Sequence, residues 1–134
     1  MLTRAQKNIR KRWVEKLRSG EFKQGDSCLR KVTKTKNGQK ETFCCLGVLC
    51  ELAVKARVIN KASLEETQDG DLDNTTSYRY DGEKAFLPRD VRLWAGLKSD
   101  RGEFDEGDLS EMNDDGVSFK RIAKVIEEND TLFE

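Results

Sequence analysis

Apolar residues recur at helical spacing in several stretches of the chain, separated by polar stretches rich in turn signals. In residues 3–19, Ile9, Trp13, Val14 and Leu17 repeat at three- and four-residue intervals and predict a helix with one buried stripe. Thr3 suits its N-cap and Gly20 its end. Residues 43–57 form the most apolar segment. Leu46, Leu49, Cys50 and Ala53 share one helical face there, while Val48, Leu52 and Val54 cover others, as in a central helix buried on most sides. Pro88 opens a short helix with Val91, Trp94 and Ala95 inward, and Gly96 closes it. Asp108 with Glu111 three residues on reads as a capping box for a single turn, and Ser118 as the cap of a last helix carrying Phe119, Ile122, Ala123 and Ile126.

Between these helices the pattern changes. Residues 27–44 predict a hairpin around a type I′ Asn37-Gly38 turn, with arms so polar and basic (Arg30, Lys31, Lys34, Lys36, Lys40) that the tip should project from the body. Such lysines also keep a sheet edge from pairing with other chains. Residues 63–77 are polar and acidic and read as a loop. Tyr78 to Phe86 suggests a second hairpin around Asp81-Gly82. The prediction is one small α+β domain, residues 1–134, with three to four helices and two β-hairpins.

The formal net charge is zero, but its distribution is not even. Residues 1–61 hold 16 basic and 5 acidic side chains, and residues 62–134 hold 9 basic and 20 acidic. A basic N-terminal half suggests a positive face for an anionic partner. Equally, the two halves could neutralise each other, within the fold or between copies in a homo-oligomer. On the first helix Arg4, Lys7, Lys11 and Arg18 line one face, which could hold phosphates or simply solubilise the helix; Lys34 and Lys36 add charge at the hairpin.

The chain has no histidine. That removes Ser-His-Asp triads, Cys-His dyads and the histidine-based zinc sites. Cys28, Cys44, Cys45 and Cys50 lack zinc-knuckle spacing and read as reduced core thiols. Asp69, Asp71 and Asp73 imitate a calcium loop, but Asn74 and Tyr80 stand where its glycine and glutamate belong. No phosphate-cradling glycine loop occurs. The expectation is therefore a non-enzyme with no metal and no cofactor. No apolar stretch approaches the ~20 residues of a bilayer span, so no membrane partner is expected.

Several motifs together resemble a group of small phage and prophage proteins. They are Trp13-Val14-Glu15-Lys16-Leu17-Arg18-Ser19-Gly20, Phe43-Cys44-Cys45-Leu46-Gly47-Val48-Leu49-Cys50, Leu87-Pro88 with Trp94-Ala95-Gly96-Leu97, Leu109-Ser110-Glu111-Met112-Asn113-Asp114, and Gly116-Val117-Ser118-Phe119 leading into Ile122-Ala123. The resemblance implies an accessory gene of a bacterial virus whose product acts in the host bacterial cytoplasm, and it carries no established activity. By that context the expected function is binding and sequestering a nucleotide-derived signal of host defence. The alternative is inhibition of a host enzyme through the acidic surface. Long nucleic acid is disfavoured by the acidic half and the absence of a reading motif. Arg89, Arg92, Trp94, Asn113, Asp114 and Ser118 are the candidate ligand-binding residues: guanidiniums for phosphate, an aromatic for a base, and polar groups for its edge. Trp94 also suits the core, and the other polar groups a turn and a helix cap.

Overall fold

A computed structural model describes residues 2–65 and 75–134, a small single α+β domain. Helix α1 (Arg4–Arg18) starts at a complete capping box: the Thr3 hydroxyl accepts from Gln6 N–H, and the Gln6 side chain accepts from Thr3 N–H. Ser19 ends it, followed by Gly20 at φ 78°. Strands β1 (Arg30–Thr35) and β2 (Gly38–Phe43) form the first hairpin, in a register that sets Arg30 opposite Phe43 and Thr35 opposite Gly38. The turn is therefore Lys36-Asn37, one residue earlier than expected. Neither residue has positive φ; Gly38 alone takes it, at 130°. A glycine just after the turn absorbs the twist that a type I′ pair would otherwise supply.

Helix α2 (Cys45–Lys55) forms the centre of the core, with Leu46, Val48, Leu49, Cys50 and Ala53 wholly inaccessible. The Cys44 sulfur caps its start by accepting from Gly47 N–H. Gly47 is needed there because a Cβ would lie 1.8 Å from the Leu29 carbonyl oxygen. The first turn of α2 thus rests directly on the backbone that enters β1.

Two segments differ from expectation. Within residues 63–77, read as a loop, strands β3 (Ser63–Glu65) and β4 (Thr75–Arg79) complete an antiparallel sheet of order β2-β1-β4-β3. Thr75, Thr76 and Tyr78 are polar by composition but favour a pleated, half-buried surface. The aspartates at 69, 71 and 73 lie outside the described residues. The Asp81-Gly82 turn does form, with φ 51° and 85°, but it closes only the Tyr80–Glu83 pair. Beyond that pair Leu29 N–H takes the Lys84 carbonyl and draws the chain away. A second small hairpin appears instead between β5 (Glu103–Phe104) and β6 (Gly107–Asp108).

Helix α3 (Arg89–Ala95) ends at Gly96 in the left-handed region, φ 77°. Asp108 caps α4 (Leu109–Asp114) by accepting from Glu111 N–H, and Ser118 caps α5 (Phe119–Glu128) by accepting from Arg121 N–H. A 3-10 turn, Asp130–Leu132, follows. Helix α5 packs along α1, burying Ile122, Ala123 and Ile126. The first and last helices are therefore neighbours, and that pairing positions the site.

Candidate anion-binding site

The apolar stripe of α1 turns inward, with Trp13 fully buried and its indole N–H donating to the Cys45 carbonyl at 2.9 Å. Burying that stripe leaves Arg4, Lys7, Lys11 and Arg18 exposed. Lys7, Lys11 and Arg18 line, with Arg10, Glu15 and Glu127, a cavity of about 380 Å³ between α1 and α5. A second cavity, about 350 Å³, shares Lys7 and Arg10 and adds Leu2, Phe133, Asp130 and Glu134. The two hollows share Lys7 and Arg10 on their walls, and both lie against α1.

Arg10 is the hinge of this groove. Its guanidinium donates to the Ile126 carbonyl (Nε, 3.1 Å), the Glu127 carbonyl (Nη2, 3.0 Å) and Asp130 Oδ1 (Nη1, 2.9 Å), and lies 4.6 Å from the Phe133 ring centroid. It satisfies the orphan carbonyls of α5 and neutralises the negative pole of that helix beneath the groove. Its partners lie more than 110 residues away, so no local pattern distinguished it from its basic neighbours. Arg18 pairs with Glu127, and this hydrogen bond holds the Glu127 carboxyl below its ordinary value. The side chains of Lys7 and Lys11 have no hydrogen-bond or ion-pair partner among the described residues. They stand one turn apart, about 6 Å along the helix axis. Lys34 and Lys36 sit in the hairpin, away from this groove.

The six residues expected to bind ligand are not brought together. Arg89 is exposed at the start of α3; Arg92 donates to the Leu97 carbonyl at 3.4 Å and lies 3.9 Å from Glu134; Trp94 is half-buried against the core. Asn113, Asp114 and Ser118 lie at the α4–α5 junction, where Asn113 is buried while Asp114 and Ser118 are exposed. Asn113 is only 2% exposed. Its Oδ1 accepts from Cys45 N–H and Gln24 Nε2, and its Nδ2 donates to the Gly25 carbonyl at 2.7 Å. Gln24 also donates to the Val117 carbonyl and accepts from Phe119 N–H. Asp114 accepts from Ser27 N–H, and Ser118 caps α5. Asn113 thus has no free polar atom to offer a ligand. Helix ends carry unpaired backbone groups, and these side chains satisfy them.

The family model of DUF8296, a domain of unknown function, matches residues 5–130. The chain belongs to the DUF8296 family. No curated protein and no solved structure matches it. The matched part of this DUF8296 chain contains Lys7, Arg10, Lys11, Arg18 and Glu127, whereas Leu2, Phe133 and Glu134 fall outside it.

Elsewhere in the DUF8296 fold, no three His, Cys, Asp or Glu side chains among the described residues gather as metal ligands would. Burial pushes the Cys44 thiol up to about 12, and the Cys45 and Cys50 thiols well above their ordinary value. These thiols are not poised as nucleophiles, which need a depressed value. Arg30 bonds Glu41 and lies 3.8 Å from Glu51, whose other oxygen accepts from the Tyr80 hydroxyl at 3.0 Å. With Tyr78 and Phe43 stacked on its guanidinium, Arg30 ties the sheet to α2. No helix among the described residues is long and apolar enough to cross a membrane.

Proposed function

We propose that this DUF8296 chain is a non-enzymatic phage accessory protein that counters a host defence function by binding and sequestering a nucleotide-derived signal in the host bacterial cytoplasm. The observation that carries the reading is the groove along α1, where Lys7 and Lys11 stand over the cavity without internal partners. A sequestering protein needs cations for phosphate and an enclosed surface for the rest of the ligand, and no catalytic group. This reading rests on the α1 residues Lys7 and Lys11 rather than on Arg89, Arg92, Trp94, Asn113, Asp114 and Ser118, and keeps the expected class of ligand.

Thermal melting against a panel of cyclic and linear nucleotide signals tests it. One ligand should raise the melting temperature by several degrees, as expected when ligand binds only the folded state. Lys7→Glu with Lys11→Glu should remove the shift. No shift with any ligand, in protein shown to carry no bound nucleotide, refutes the reading.

A second reading is favoured by the exposed carboxylates of Glu103, Asp105, Glu106, Glu111, Asp114 and Asp115, close together in sequence around the β5–β6 hairpin and α4. Such a surface suits a protein inhibitor that covers a basic channel of a host enzyme. That reading requires a host protein whose capture is lost when Asp105 and Glu106 become lysine, with no nucleotide effect.

A further inference from the structure

Asn37 and Gly38 form the one Asn-Gly pair of the sequence, and they stand at the tip of the first hairpin. Asparagine is a thermolabile residue, because the backbone nitrogen that follows it can attack its side-chain amide. The attack needs an unhindered nitrogen, an amide that no partner holds, and a backbone free to bring the two together.

The tip supplies all three. Gly38 carries no Cβ beside its nitrogen, and the space where one would stand is open. It is also the residue whose φ of 130° leads the chain out of the turn, so the fold itself keeps a glycine after Asn37. The Asn37 side chain is exposed and makes no hydrogen bond among the described residues.

Freedom follows from the ladder. Phe43 N–H and C=O bond to Lys23 and Gly25 on the outer side of β2, and alternation along the strand then turns Gly38 towards β1, in the closing pair with Thr35. That pair must open before the nitrogen can react. Strand β4 backs β1 only from Lys31 to Thr33, so the Lys34–Gln39 and Thr35–Gly38 pairs are a two-stranded end, exposed throughout. Such an end opens at little cost. The other described asparagines are held or hindered. Asn8 lies inside α1, and Asn60 is followed by the bulkier Lys61. Asn113 has both amide atoms bonded, and Asn129 Nδ2 donates to the Val125 carbonyl at 2.8 Å.

We propose that Asn37 is a site of spontaneous deamidation in the folded protein. The Gly38 nitrogen gives its proton to solvent and bonds to Asn37 Cγ. The Cγ–Nδ2 bond breaks, and Nδ2 leaves as ammonia, closing a succinimide ring. Water then adds to one of the two ring carbonyls, and that carbon's bond to the Gly38 nitrogen breaks. Opening at Cγ leaves aspartate. Opening at the main-chain carbonyl leaves isoaspartate, in which the chain runs through the former side chain and is longer by one methylene. Nothing is oxidised or reduced. Either product adds a negative charge to the tip that carries Lys34 and Lys36, while the body of the domain stays folded.

Peptide mapping by mass spectrometry tests this, on the full chain incubated in heavy-oxygen water, folded and in urea. Aspartate and isoaspartate, each with a heavy oxygen, should build up at position 37 of the folded chain at least about tenfold faster than at Asn8, Asn60, Asn113 or Asn129, as easier opening of the tip implies. Asn37→Gln, which would need a larger ring, should lose the product. Asn37→Asp should melt with the parent chain. Equal rates at Asn37 and Asn60 in the folded protein would overturn the proposal, and so would conversion of Asn37 in urea alone. A markedly lower melting temperature for Asn37→Asp would overturn the independence of tip and body.

Discussion

Replacing Asn113 by alanine separates a structural role from a ligand-binding one. The change removes the acceptor for Cys45 N–H and the donor to the Gly25 carbonyl, and takes one of two acceptors from Gln24 Nε2. Two backbone groups are left stranded at a site 2% exposed. At ~1–3 kcal/mol for each unsatisfied group, the loss should be about 4 kcal/mol. With an unfolding entropy of ~2.1 cal/mol/K per residue, that lowers the melting temperature by about 14 °C. Urea unfolding should show a lower midpoint with an unchanged slope. Asn113→Asp keeps Oδ1 but sets a carboxylate against the Gly25 carbonyl. It should regain stability as pH falls, because the protonated carboxyl can again donate. A loss under about 1 kcal/mol in the alanine variant, with nucleotide binding abolished, would refute the structural account and restore Asn113 as a ligand residue.

Gly47→Ala should cost more than about 3 kcal/mol or prevent folding, since a Cβ would meet the Leu29 carbonyl at 1.8 Å; a soluble variant with a native melting curve would contradict this packing. Arg10→Lys cannot cap α5 and cover Phe133 together, so it should lose about 1–2 kcal/mol and raise hydrogen exchange at the end of α5 first. The buried thiols of Cys44, Cys45 and Cys50 are raised in the fold. Below about pH 9 they are neutral folded or unfolded and add no pH dependence. Above it the unfolded chain ionises first, so stability falls by up to ~1.4 kcal/mol per pH unit for each thiol. Urea midpoints from pH 7 to 10.5 should show the fall, and Cys50→Ala should lessen it by about a third. With a bulky thiol reagent, half-buried Cys28 should react in the native protein and the other three cysteines only on unfolding.

Elements that depend on local patterns could be read from the sequence. The stripe of Ile9, Trp13, Val14 and Leu17, the caps at Thr3, Asp108 and Ser118, and the stop at Gly96 all stand where spacing and end chemistry put them. What depended on distant partners could not be read. Nothing near Lys84 shows that its carbonyl belongs to Leu29, so the second hairpin was extended beyond its single pair. Asn113 had the composition of a ligand residue, and only its contact with Gln24 and Gly25, almost ninety residues away, shows it to be a staple. The basic residues of α1 were visible as a face. Their groove was not, because its other wall is α5.

That wall has a consequence for synthesis. The groove is built from the first and last α-helices, so a ribosome making this chain completes α1 long before the site can exist. Until residues 119–128 have been made, the stripe around Trp13 has no α5 to cover it. The nascent chain must keep that stripe from wrong partners until residues 119–128 emerge. A product cut short before Ile126 would keep every lysine of the groove and still lack the carbonyl to which Arg10 donates.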